Sequence, residues 1–256
     1  MKMTLGPILG MALGVVMATV QPGAAAEVKV LTAGAFKQVV LAVAPEFEKS
    51  GHKLVVDNDT VGALTKRIEG GEAFDVAVLT PAAVDELTKK GKIADGSKTA
   101  LARVGVGVMV KAGAPVPDIS TVEAFKRALL QAKSVAYIDP ASGGSSGIYI
   151  ANLLEKMGIA NDIKPKAKLK QGGYVADLIK SGEAELGIHQ ISEIVPVKEV
   201  TLVGPLPADI QNYTTYAAGI SPSARDDAAA KALIQVFSGP AAAAVLKEKG
   251  MDRPGS

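Results

Sequence analysis

Apolar residues along the chain alternate between short continuous runs and stretches at helical spacing. Val28-Lys29-Val30-Leu31 reads as a strand. Phe36, Val39, Val40, Val43 and Phe47 then fall on one helical face, with Lys37, Glu46 and Lys49 off it. Gly51 ends that helix, and Leu54-Val55-Val56 begins the next strand. Leu64 and Ile68 mark a short helix that closes near Gly70-Gly71, and Asp75 to Leu79 is a buried strand. Pro81 sits at a helix start, where its missing N–H costs nothing, and Val84 and Leu87 supply the inner face. The run 102–110 is longer, rich in Val, and made bendable by Gly105 and Gly107. Gly/Pro punctuation at 112–117 precedes a second series. Its helices are expected around Val122, Phe125 and Leu129, at 147–156 and at 175–180, and its strands at 134–139, 185–189, 200–204 and 213–220. Two helices, 228–237 and 241–249, end the chain.

This alternation predicts an α/β fold with a largely parallel sheet. The extended segments near 102–110 and 213–220 bracket the second series, so the simplest architecture is two lobes joined by two crossing strands. Residues 27–105 and 219–256 form one lobe in this reading, and residues 106–218 the other. Two crossovers make a hinge and leave a cleft, an arrangement used to close around ligands. One continuous doubly wound domain without a cleft is the rival. Residues 1–26 read as an export signal: Lys2, an apolar stretch from Leu5 to Val20, then the cleavable triplet Ala24-Ala25-Ala26. Its removal places the mature chain in the periplasm.

Composition narrows the function. The chain has 256 residues, 48% of them hydrophobic and 21% charged, which excludes general disorder. A net charge of +2 leaves no basic excess for nucleic acid. With no Trp, a platform for stacking bases is not expected. The absence of Cys and the presence of only His52 and His189 exclude thiolate and multi-histidine metal sites. No metal and no cofactor is expected.

Candidate chemistry lies in turns that precede helices. These are Ala33-Gly34-Ala35, Asp59-Thr60-Val61-Gly62, the six residues from Ser142 to Gly147, and Gly172-Gly173-Tyr174. A helix N-terminus offers free N–H groups and about half a positive charge, and small residues let an anion approach them. The third turn has more Gly and Ser than a cap requires. It also reads G-x-S-x-G, so a serine hydrolase using Ser145, with Asp162 or Asp177 and His189, is the alternative function. A structural role suits His189 better than catalysis, whereas Gln190 suits a ligand hydrogen bond. Lys164, Lys166, Lys168 and Lys170 alternate as the solvated face of an edge strand. A sensor module on the same scaffold is a third possibility.

From Val28 to about Lys249 the chain resembles the periplasmic molybdate-binding proteins of ABC importers, within the type II solute-binding superfamily. The resemblance rests on LTKRIEGGEAFDVAVLTPAA from Leu64 to Ala83, on Asp139-Pro140 followed by Gly147-Ile148-Tyr149, and on Leu186-Gly187-Ile188. It implies a two-lobed type II periplasmic-binding-protein-like fold with two hinge crossover strands, and an oxyanion held by hydroxyls and backbone N–H groups. The family's first-loop serine falls within Gly34-Ala35-Phe36, and its second-loop serine at Val61, beside Thr60. Its backbone donors fall near Ser146-Gly147 and near Gly173 or Tyr174, and its late tyrosine at Gln190. The changed positions Ala35, Val61 and Gln190 point to a ligand that is either a molybdate-like oxyanion or a small organic acid, with Phe36 placed to pack on the latter. The implied protein is a non-enzymatic monomer that delivers this anion to an inner-membrane permease.

Overall fold

A computed structural model describes residues 25–255. The expected leader lies outside the described residues as far as residue 24. The first half runs β1 (Glu27–Ala33), α1 (Gly34–Glu48), β2 (Lys53–Asp59), α2 (Val61–Glu69), β3 (Val76–Leu79), α3 (Pro81–Lys89) and the long β4 (Thr99–Lys111). Next come α4 (Val122–Gln131), β5 (Val135–Ile138), α5 (Ser145–Lys156), α6 (Ala160–Ile163), β6 (Ala167–Lys170), α7 (Ala176–Lys180), β7 (Leu186–Gln190), α8 (Ile191–Ile194) and β8 (Val200–Pro205). The chain closes with β9 (Tyr213–Ile220), α9 (Asp227–Ser238), α10 (Pro240–Glu248) and β10 (Met251–Asp252).

Local chemistry explains the helix starts. Thr60, Thr121 and Asp226 each accept a backbone N–H three residues on, capping α2, α4 and α9. Pro81 and Pro240 open α3 and α10, where no N–H is needed.

The strands order as β2-β1-β3-β9-β4-β7-β5-β6. In the first lobe α1, α9 and α10 cover one face of the sheet through Phe36, Phe47, Leu233, Phe237 and Leu246. On the other face α2 and α3 pack through Leu64, Ile68, Val84 and Leu87. The second lobe repeats this, with Phe125, Leu129, Ile150 and Leu154 on one side and Val175, Ile179 and Ile194 on the other. The clusters of the first lobe share no residue with those of the second, which makes two lobes rather than one continuous domain.

The sheet is less parallel than the alternation suggests. β1 with β2 and β3, and β5 with β6 and β7, are parallel, but β4 runs antiparallel to β7, β8 and β9. The strands that cross between lobes enter each sheet from the opposite direction, which hydrophobic runs alone do not reveal. β4 changes partner within its own length: Thr99 to Gly105 pair with β9, and Val106 to Val110 with β7. At that switch the Gln211 side chain clamps Val106, accepting its N–H at 2.9 Å and donating to its carbonyl at 3.0 Å. The four expected lysines divide: Lys164 to Lys166 form a single 3₁₀ turn, and only Ala167–Lys170 is strand, at the sheet edge.

Candidate functional site

The lobes meet over a small cavity of about 30 Å³, reached by the ends of β1, β2 and β7 and the starts of α1, α2 and α5. They touch at its rim. Gly62 N–H donates to the Gly143 carbonyl at 3.1 Å, and the Thr60 hydroxyl donates to the Ser142 carbonyl at 2.5 Å. A Cβ on Gly62 would lie 2.8 Å from the Gly143 Cα, so two glycines are required for this approach. Ser192 also reaches across, its hydroxyl donating to the Ala35 carbonyl at 2.8 Å.

The small residues at the element junctions decide what faces the cavity. β1 runs directly into α1, and neither α1 nor α5 has a side-chain cap, so their first N–H groups are left for another acceptor. Gly34, Ala35, Thr60, Val61, Ser145, Ser146, Gly173 and Gln190 all line the cavity. Thr60 spends its hydroxyl on the α2 cap and on Ser142. Three other expected residues lie behind the wall. Phe36 is fully buried and packs edge-on against Phe237, 5.7 Å between ring centroids, so it belongs to the first-lobe core. Gly147 lies against the Ile138 carbonyl, with no room for a Cβ. Tyr174 turns its hydroxyl to Gln38, which donates to it at 2.5 Å.

Ser145 sits at the centre of a polar network. Its Oγ accepts from Gln190 Nε2 at 3.2 Å and from the Thr214 hydroxyl at 3.5 Å, and it is hydrogen-bonded to Tyr216. Gln190 Nε2 also donates to Thr214 at 2.9 Å, while its buried Oε1 has no partner. Among the described residues no lysine or arginine lines the cavity, so an anion there is met by N–H, hydroxyl and amide groups.

Sequence reasoning assigned no role to Glu193 and a structural one to His189. Both line the cavity and are almost wholly buried, with His189 Nε2 3.3 Å from Glu193 Oε2. Burial pushes the Glu193 carboxyl up to about 8, against a small opposing pull from Lys37. Burial, with Lys170 adding to it, pushes His189 down to about 3. His189 Nδ1 is buried without a partner. Glu193 Oε1 lies over the start of α1, where a Cβ on Gly34 would come within 2.5 Å of it. A signal for Glu193 exists in the sequence: it is a single charge within the otherwise apolar or small Ile191-Ser192-Glu193-Ile194-Val195.

The hydrolase arrangement is not assembled. Ser145 bonds to Gln190, Thr214 and Tyr216, whereas His189 faces Glu193. Asp177 is in ion pairs with Lys170 and Lys180.

Two α/β lobes closing on a polar cavity at helix starts define a periplasmic-binding-protein scaffold. The chain belongs to the bacterial extracellular solute-binding protein family, which it matches over residues 28–252. It is 32% identical over 252 residues to a protein of a Pseudomonas species named aconitate isomerase, covering 94% of this chain and 95% of that protein. It is 29% identical over 238 residues to the molybdate-binding protein ModA of Azotobacter vinelandii, covering 88% and 90%. The solved Azotobacter vinelandii periplasmic molybdate-binding protein superposes with a TM-score of 0.76 at 22% identity, covering 89% of this chain and 99% of that one. The chain is therefore a molybdate-binding-like solute-binding protein of the ABC-importer type, in a family of exported proteins.

Proposed function

We propose that the chain captures a small organic acid by its carboxylates in the interlobe cleft and passes it to an inner-membrane ABC permease. One observation carries this reading. The uncapped starts of α1 and α5 share a cavity with Ser145, Gln190 and Thr214, while the two loop positions expected to bear serine in a molybdate site are the apolar Ala35 and Val61. Each ligand oxygen left unpaired in such a site costs about 1–3 kcal/mol, which penalises a compact oxyanion that presents oxygen in every direction. An organic acid presents carbon to Ala35 and Val61 and oxygen to the helix starts. It needs more than the present 30 Å³, so the contacts at Gly62 and Thr60 part to admit it and re-form over it as the cavity walls give way. The hinge lies at 105/106, where β4 changes sheet, and at the second crossover. For that crossover, expected at 218/219, we favour the stretch just before Tyr213, since β9 pairs with β4 from Tyr213 and with β3 from Ala217. Capture by closure requires only one copy of the chain.

A second reading, that the bound acid is also converted, is favoured by the buried Glu193 and His189 in the wall and by the name of the Pseudomonas relative.

Thermal melting against molybdate, tungstate, sulfate, succinate, citrate and the two geometric isomers of aconitate tests the capture. A ligand at a hundred times its dissociation constant adds about 2.7 kcal/mol. The expected result is a clear upward shift with at least one di- or tricarboxylate and none with molybdate. A shift with molybdate and tungstate alone overturns the organic-acid reading.

A further inference from the structure

We propose that the cleft selects hydroxycarboxylates, with the ligand's carboxylate at the start of α5 and its hydroxyl against Gln190 and the His189–Glu193 pair. The inference deepens the reading above and rests on it.

Buried polar groups need partners, and the groups that the protein itself leaves over define what a ligand has to bring. Gln190 is 1% exposed at the end of β7. Its Nε2 has two hydrogens and two hydroxyl partners, Thr214 at 2.9 Å and Ser145 at 3.2 Å. The amide therefore has no hydrogen left, and its Oε1 is a buried acceptor without a donor.

His189 and Glu193 are 2% and 6% exposed and meet at 3.3 Å. Burial keeps both uncharged at neutral pH, so the pair holds two hydrogens, one on the imidazole and one on the carboxyl. Only one of them can lie between Nε2 and Oε2. When the carboxyl supplies it, His189 Nδ1 keeps an unspent N–H, and Glu193 Oε1 is an unspent acceptor. When the imidazole supplies it, Nδ1 is the unspent acceptor, and the carboxyl keeps its O–H. Either way one donor and one acceptor remain, and Nδ1 has no partner among the described residues.

Two acceptors and one donor are thus left over on three side chains that line the same cavity. A bare carboxylate only accepts, so it satisfies the donor alone. An ammonium only donates, and once buried it needs a counter-charge that these neutral groups do not provide. A hydroxyl does both: it donates to Gln190 Oε1 and accepts from the His189–Glu193 pair. The neighbouring groups leave the count unchanged. Asp59, in the same wall, accepts the Thr60 N–H at 2.8 Å and lies 3.8 Å from Arg67. Thr60 is spent on α2 and Ser142, and Tyr216 is bonded to Ser145. The ligand carboxylate takes the N–H groups that open α5, which no side chain caps.

Calorimetry with ligands that differ by one group tests this: lactate against propionate, malate against succinate and aspartate, and citrate against propane-1,2,3-tricarboxylate. On wild type, the hydroxylated member of at least one pair is expected to bind about 5- to 150-fold more tightly than its unhydroxylated partner, because without the hydroxyl buried groups stay unpaired. Malate should also bind more tightly than aspartate. Gln190→Met keeps the length of the side chain and removes the amide oxygen, so in the folded variant the preference should shrink towards one. The wild-type comparison decides without it if that variant does not fold. Equal affinity within every pair that binds overturns the inference and leaves the organic-acid reading standing. So does tighter binding of aspartate than of malate, or a folded Gln190→Met variant with the full preference. Binding of none of these acids defeats the organic-acid reading for them, and the inference with it.

Discussion

Replacing Glu193 by Gln is expected to flatten the decline in stability of the wild-type chain between pH 6.5 and 8.5. Burial raises the Glu193 carboxyl from 4.5 to about 8, so between those values the folded chain holds a proton that the unfolded chain has released. Stability therefore falls as pH rises through that window. His189 has the opposite slope. Burial lowers it from 6.5 to about 3, so below 6.5 the unfolded chain takes a proton that the folded chain refuses, and stability falls as pH drops. The two slopes offset each other between 4.5 and 6.5, and above 6.5 only the Glu193 loss remains. At about 1.4 kcal/mol per pKa unit, the remaining window is worth about 2 kcal/mol. For a chain of this size that is roughly 4–8 °C in Tm. Gln keeps the shape without the proton, so its melting curve should lose that step. Parallel pH slopes for variant and wild type contradict the assignment of a buried, proton-holding Glu193.

Replacing Gly62 by Ala is expected to hold the lobes apart. The added Cβ would lie 2.8 Å from the Gly143 Cα, and neither backbone can yield as a side-chain end does. Gly143 has a positive φ of 75°, so its turn is not free to rearrange. Opening the rim by about an ångström breaks the Gly62 to Gly143 bond and the Thr60 to Ser142 bond. Overpacking of this kind costs about 1–3 kcal/mol, which lowers ligand affinity roughly 5- to 150-fold. The same change sits in the first turn of α2, where Ala is favoured over Gly by up to about 1 kcal/mol, so the melting temperature without ligand should hold. Affinity loss without stability loss, read by calorimetry and melting on the same samples, identifies the contact as part of closure. Unchanged affinity would show that capture does not close the lobes here.

The sequence made the scaffold readable because its signals are local. Pro81 starts a helix, Gly51 stops one, and the Phe36 to Phe47 spacing marks a buried face whatever surrounds it. The turns at 33–35, 59–62 and 142–147 were legible as candidates because small residues at helix starts let a ligand approach free N–H groups, and part of each turn lines the cavity while Gly62 and Gly147 serve close packing. The same spacing that made Phe36 helical also placed it on the core face, so expecting it at the ligand ran against its own periodicity. Thr60 had two possible uses for its hydroxyl, and the α2 cap and the opposite lobe took it. Glu193 and Tyr216 were missed because their roles are set by tertiary contact. α8 spans only Ile191–Ile194 directly after β7, too short for a periodic signal, and it brings Glu193 back onto His189. Tyr216 reaches the cavity only because β9 pairs between β3 and β4. The antiparallel crossings of β4 and β9 were hidden for the same reason, since strand direction is a property of pairing and not of a hydrophobic run.

The central claim is that a small organic acid is held at the start of α5 between the lobes. Calorimetric titration of trans-propene-1,2,3-tricarboxylate into wild type and Ser145→Ala tests it most directly. One saturable site is expected on wild type, with an affinity about tenfold to a hundredfold weaker in the variant, the loss of one hydrogen bond to a charged group. Binding of equal strength to both proteins, or tight binding of molybdate in its place, would contradict it.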